Sequence, residues 1–229
     1  MTQWSADARK KVLVLSSSPR VQGNSRMLCD ALAEGAREAG HETIVVNIVD
    51  YVREMLRYCH ECRRPDGACS IEDRYRELFI GLYLPADAVV FGTPIYWYGM
   101  SAQLKTFFDR FVCYGESSPD YTPELKASTM EKKVAVVLSA EESNFPARAA
   151  IMTQVAEFAR YMRCDFVGVV TGIGNRRGEV VHDPANPLEE ARTLGRRLFA
   201  IESTDYMYDV PRSKDVWGEG EHRYPAMWR

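Results

Sequence analysis

Two loops concentrate groups that could do chemistry. Residues 15–28, LSSSPRVQGNSRML, follow the apolar run KVLVL and carry Ser16, Ser17, Ser18, Arg20, Asn24 and Ser25. A polar loop between a buried strand and a helix N-terminus is suited to anions, because the first backbone N–H groups of the helix are unpaired and its dipole end is positive. The serines add hydroxyl donors and Arg20 adds charge, while Asn24 or Ser25 is a natural N-cap that could also donate to a phosphate. A helix-capping turn with solvated serines is the alternative. Neither GxGxxG nor GxxxxGK[ST] occurs here, which argues against the dinucleotide fingerprint and the P-loop.

The second loop lies in GTPIYWYGMSAQLKTFFDR, residues 92–110, where Tyr96, Trp97 and Tyr98 stand between Pro94 and Gly99. Three loop aromatics cannot all find a core of their own, and a planar aromatic ligand would use them by stacking. Gly99 would let the backbone approach closely or turn at positive φ, and Ser101 would cap the following helix. An aromatic-rich contact between subunits is the alternative, and the two are compatible.

A third stretch, RYCHECRRPDGACSIEDRYREL (57–78), holds Cys59, Cys62 and Cys69. The C-x2-C pair with a later thiol admits a metal or cluster site, a zinc site with His60, or free thiols that cycle as a dithiol. Cys29, Cys113 and Cys164 read as small buried residues. His41, His182 and His222 are isolated and read as surface or core histidines. Arg176 and Arg177 could meet the phosphate of a nicotinamide cofactor, with a solvated turn as the alternative.

Alternating apolar and amphipathic runs would position these groups. Strands are expected at 12–15, 43–49, 88–94, 133–140 and 165–173. Helices are expected at 24–40, 73–84, 101–112, 147–162 and 186–202. Five strands separated by helices predict an α/β fold: a doubly wound five-stranded parallel sheet of the flavodoxin type, order 2-1-3-4-5, with helices on both faces. Ligands of such sheets bind beyond the carboxyl ends of the strands. That points to loops 16–25, 93–100 and 139–146. Residues 1–202 read as one domain with a cysteine-bearing insert at about 50–72. Residues 203–229, with Trp217 and Trp228, read as a polar tail that packs on a neighbouring subunit or on its own domain.

The chain has 229 residues, 29 basic and 32 acidic, and a formal net charge of −3, which supplies no basic footprint for nucleic acid or membrane surface. No apolar run approaches a membrane span and the polar N-terminus lacks a signal peptide's apolar core, so a cytoplasmic protein is expected.

SSSPRVQGNS and GTPIYWYGMSAQLKTFFDR resemble the two flavin loops of the flavodoxin-like NAD(P)H-dependent FMN reductase family, close to its iron–sulfur flavoprotein and NAD(P)H:quinone oxidoreductase branch. The family pattern, S-x-R-x-x-G-N-[ST] and then a P-[IV]-Y-[WF] loop running to D-R, is matched by residues 18–25 and 94–110. The resemblance implies FMN, with its phosphate on Ser16, Ser18, Arg20, Asn24 and Ser25. It places the ring on Pro94, Ile95, Tyr96, Trp97, Tyr98 and Gly99, closed by Ser139, Ala140 and Glu141. It implies NAD(P)H as co-substrate, a quinone, flavin or similar small-molecule acceptor, no catalytic residue beyond the flavin, and a homodimer or homotetramer. A flavodoxin-like or iron–sulfur flavoprotein electron carrier is the alternative. The iron–sulfur relatives hold their cluster with four cysteines, and here Pro65 stands where the third would be. No metal is therefore expected.

Overall fold

The computed structural model describes residues 4, 10–57, 63–114, 118–120 and 122–201. Cys59, His60, Cys62, His222 and the tail from 202 lie outside the described residues.

Strands β1 (Lys11–Ser16), β2 (Glu42–Asn47), β3 (Ala88–Tyr96), β5 (Lys133–Ala140) and β6 (Asp165–Ile173) form a parallel sheet in the order β2-β1-β3-β5-β6. This is the expected order 2-1-3-4-5. The two-residue strand β4 (Gly99–Met100) pairs antiparallel with the end of β3, Ile95 opposite Met100 and Tyr96 opposite Gly99.

The central strands are apolar on both faces, as a covered parallel sheet requires. Leu13, Leu15, Val89, Phe91, Val134 and Val136 point to one side, and Val12, Val14, Val90, Ala135 and Val137 to the other. On the first side lie helix α2 (Ala102–Asp109), helix α4 (Pro146–Tyr161) and a π-helical segment, Glu77–Tyr83. On the second lie α1 (Asn24–Glu38) and α5 (Pro187–Arg197). The short helix α3 (Pro123–Ser128) buries no residue. Each fully buried Leu, Val or Phe contributes about 1.5–3 kcal/mol.

Helices α1 and α5 touch through their backbones. A Cβ on Gly35 would lie 1.9 Å from the Arg192 carbonyl oxygen, and one on Gly195 would lie 2.0 Å from that of Leu32. Arg196 reaches Glu38 at 3.0 Å across this seam and is held by Glu189 of its own helix at 2.6 Å. The hydrogen bonds of Arg192 and Arg196 to Glu38 hold its carboxyl down to about 2.

The expected helix over 73–84 takes a different form. Its turns are π over Glu77–Tyr83, and Tyr75, Phe79 and Tyr83 stack along it with neighbouring ring centroids 5.9 and 5.3 Å apart. Tyr75 also lies under the Arg110 guanidinium, 4.3 Å from ring to Cζ. Arg110 and Asp73 form an ion pair whose side chains are each 1% exposed. Asp73 further accepts the amides of Arg53 and Tyr75, and Arg110 donates to the Glu54 carbonyl, so the pair ties the insert to the end of α2. Burial alone would raise the Asp73 pKa, but the Arg110 hydrogen bond and these amides outweigh it and hold it below its ordinary value.

Candidate functional site

The loop after β1 is held by its serines, each in its own way. Ser17 donates from its amide and its hydroxyl to the Gly92 carbonyl, at 2.8 and 2.9 Å. The Ser101 hydroxyl donates to Ser17 Oγ at 2.8 Å. Ser101 also caps α2, as expected, accepting from the Leu104 amide. Ser17 thus locks the first loop to the second. Ser18 Oγ donates to the Arg20 carbonyl and accepts its amide, at 3.0 and 3.1 Å, which closes the tip of the loop. Gly23 leaves room for that hydroxyl: a Cβ there would lie 2.6 Å from Ser18 Oγ.

Neither Asn24 nor Ser25 is the N-cap of α1. The cap is Gly23, without a side-chain hydrogen bond, and Asn24 is the first helical residue. Its side chain is used elsewhere. Asn24 Nδ2 donates to the carbonyls of Gly174 and Arg176, at 2.8 and 3.0 Å, and Oδ1 accepts the Val180 amide at 3.3 Å. The first intrahelical bond runs from the Met27 amide to the Gly23 carbonyl, so the amides of residues 24–26 receive no partner from the helix itself.

Ser16 does not line the open site. The alternation of β1 turns it to the α1 side with Val12 and Val14, and its buried hydroxyl has no hydrogen bond of good geometry. Its polar neighbour is the Cys29 thiol, which burial pushes up to about 12.

Ser18, Arg20, Asn24 and Ser25 share one cleft of about 230 Å³ with Pro94, Ile95, Tyr96, Ser139, Ala140 and Glu141. A second cleft, about 180 Å³, adjoins it through Ile95, Ala140 and Glu141 and is bounded by Trp97, Tyr98 and Glu142. The three loops expected from the sheet order therefore converge. Gly99 lines neither cleft.

Trp97 and Tyr98 form the two-residue turn between β3 and β4, with φ of 49° and 61°. The positive φ falls on these two bulky residues, not on Gly99. Two consecutive positive φ values describe the turn that matches strand twist, usually built from Asn-Gly; large side chains there are strained. The turn presents Trp97 almost fully to solvent, 96% exposed. Tyr98 donates to Glu142 at 3.2 Å across the mouth of the second cleft, a bond that raises its own pKa.

Sequence reasoning offered Arg176 and Arg177 of the loop after β6 for a nicotinamide phosphate but did not count this loop as the fourth wall of the cleft. Gly174, Asn175 and Arg177 line the first cleft. Asn175 donates to Glu141 at 2.9 Å, and the Gly174 amide donates to the Ala140 carbonyl. The signal was available: this loop also leaves the carboxyl edge of the sheet, directly beside the loop after β5.

The apolar residues of α2 and of the turn after it pack within this chain. Leu104 and Phe107 are fully buried, and Phe108 and Phe111 pack on Phe158 at 4.7 and 5.2 Å between ring centroids. In the insert, Cys69 lies opposite Arg63 in an isolated antiparallel bridge.

Residues 10–194 match the model of a family described by its flavodoxin-like fold. The chain belongs to that family. Among its relatives is an iron–sulfur flavoprotein of Methanocaldococcus jannaschii, 27% identical over 199 residues, covering 83% of this chain and 96% of the relative. An FMN-dependent NADH:quinone oxidoreductase of Opitutus terrae is 30% identical over 146 residues, covering 58% of this chain and 68% of the relative. The solved NAD(P)H:quinone oxidoreductase from Methanothermobacter marburgensis superimposes with a TM-score of 0.59 at 22% identity, covering 83% of this chain and 98% of that one. That likeness concerns the flavodoxin-like fold.

Proposed function

We propose that the adjoining clefts form an FMN site and that the protein is an FMN-dependent NAD(P)H oxidoreductase. The observation that carries this reading is the meeting of the loops after β1, β3 and β5 in one cleft at the start of α1. The donor set fits a flavin monophosphate. The amides of residues 24–26 and Arg20 suit the phosphate, and the hairpin aromatics suit the ring. Bound FMN would supply the redox chemistry, accepting a hydride from NAD(P)H and passing electrons to a quinone, flavin or similar acceptor.

The chain's own residues position the cofactor. Ser17 and Ser101 fix the first loop against the second, so the phosphate end and the ring end keep a set separation. Ile95, Ala140 and Glu141 line the passage between the clefts. Tyr98 and Glu142 bound the second cleft, where a small acceptor would approach. The exposed Trp97 and half-exposed Tyr96 and Tyr98 favour a second copy covering this edge, as a homodimer or homotetramer, which light scattering would test.

The matching test is a titration of the apo-protein with FMN, followed by anaerobic mixing with NADH or NADPH. Binding followed by loss of the oxidised-flavin absorbance supports the proposal, and a flavin that stays oxidised with both nucleotides refutes the reductase reading. The second reading, an iron–sulfur flavoprotein electron carrier, is favoured by the named relative that the chain matches along nearly its full length. Iron and sulfide analysis separates the two: about four irons per chain would indicate a cluster.

A further inference from the structure

The loop after β6 is tied more tightly to the phosphate end of the cleft than a surface turn requires. Asn24, the first residue of α1, holds the carbonyls of Gly174 and Arg176 and the amide of Val180. Glu179 accepts the amides of Asn175 and Arg176 at 2.8 and 2.7 Å, which closes the turn on itself. Gly178, at φ 76°, then turns the chain into a short 3-10 helix, Glu179–His182. These bonds bracket one residue, Arg177. It leaves the backbone one position after a carbonyl bonded to Asn24 and lines the same cleft as Arg20, Gly23, Asn24 and Ser25.

We propose that Arg177, which lines the same cleft as Arg20, is a second guanidinium ligand of the FMN phosphate, and that Asn24 positions it and does not itself bind phosphate through its side chain. The inference rests on the FMN reading above. A phosphate monoester carries about −1.5 to −2 charges near neutral pH, which one guanidinium leaves undercompensated and two match. The nearby carboxylates do not cancel this pair. Glu179 is occupied by two backbone amides. Glu141 is bonded to Asn175 and sits where the first cleft meets the second, toward the ring end.

The experiment compares FMN with riboflavin, which lacks the phosphate, by flavin fluorescence on the apo-protein. Arg177→Gln and Arg20→Gln should each weaken FMN about 10–100-fold, the worth of a charge-assisted hydrogen bond. Both should leave riboflavin affinity within about threefold, a change too small for a lost charged contact. Arg176→Gln, on the neighbouring exposed residue, should change neither ligand. Arg177→Lys should recover part of the loss. In the wild type, FMN affinity should fall with added salt, and less steeply in Arg177→Gln. An unchanged FMN-to-riboflavin ratio in Arg177→Gln would overturn the proposal. So would a variant that binds FMN normally and has only a raised KM for NADPH, since Arg177 would then serve the nicotinamide nucleotide. A wild-type protein that binds neither flavin would overturn the FMN reading and this inference together.

Discussion

Replacing Asn24 by Ala separates two roles for one side chain. If Asn24 is a latch, its loss is felt in the empty protein. Three hydrogen bonds disappear, to Gly174, Arg176 and Val180. Each is worth about 1 kcal/mol net, somewhat less where water can replace the partner and more where it cannot. Arg176 is exposed, so its carbonyl is readily rehydrated, whereas Val180 is 1% exposed and its amide would be left without a partner. The sum is about 2–3 kcal/mol, which for a chain of this size lowers Tm by about 5–10 °C. Thermal and urea unfolding of the apo-protein measure this without any ligand. Asn24→Asp should fail similarly, since it keeps the acceptor but loses both donors. FMN affinity should fall as well, by about tenfold, because the loop bearing Arg177 loosens. The reasoning would be refuted if Asn24→Ala unfolded within about 1 °C of the wild type while FMN affinity collapsed. That result would make Asn24 a direct phosphate ligand.

Three further outcomes are expected. Trp97→Asn combined with Tyr98→Gly should stabilise the apo-protein by about 1–2 kcal/mol by relieving positive φ on two bulky residues, and should weaken FMN binding, read from unfolding and titration in parallel. Arg110→Met should cost about 3–5 kcal/mol in urea unfolding, because it strands the buried Asp73 carboxylate. Lys132 is buried, donates to the carbonyls of Leu84 and Ala86, and is pushed down to about 8 by desolvation. Its unfolded form holds the proton to higher pH, so between about 8 and the ordinary lysine range the unfolded state binds more protons and stability rises with pH. Relative to Lys132→Met, the wild type should therefore gain stability as pH rises from about 8 toward 10, measured by urea unfolding at each pH.

The sheet was legible because its signal is local. The runs at 133–140 and 165–173 coincide with β5 and β6, since a buried parallel strand is a short apolar stretch bounded by turns. The three loops followed from strand order alone. What stayed hidden depends on contacts distant in sequence. The side chain of Asn24 reaches residues 150 to 156 positions away, so local propensity could suggest a cap but not the latch. The π turns of Glu77–Tyr83 could not be told from α turns, because the two share much of one apolar pattern. β4 is two residues long and has no periodicity to read. Its turn carries Trp-Tyr where Asn-Gly is usual, so the hairpin shows none of the turn residues by which such turns are read.

The central claim is that the cleft at the start of α1 holds FMN and that NAD(P)H reduces it there. The most direct test is the visible absorption spectrum of the purified protein, after addition of FMN if it is isolated colourless, recorded before and after anaerobic addition of NADH or NADPH. The account predicts the bands of bound oxidised flavin and their loss with at least one nucleotide. A protein that neither carries nor takes up FMN would contradict it.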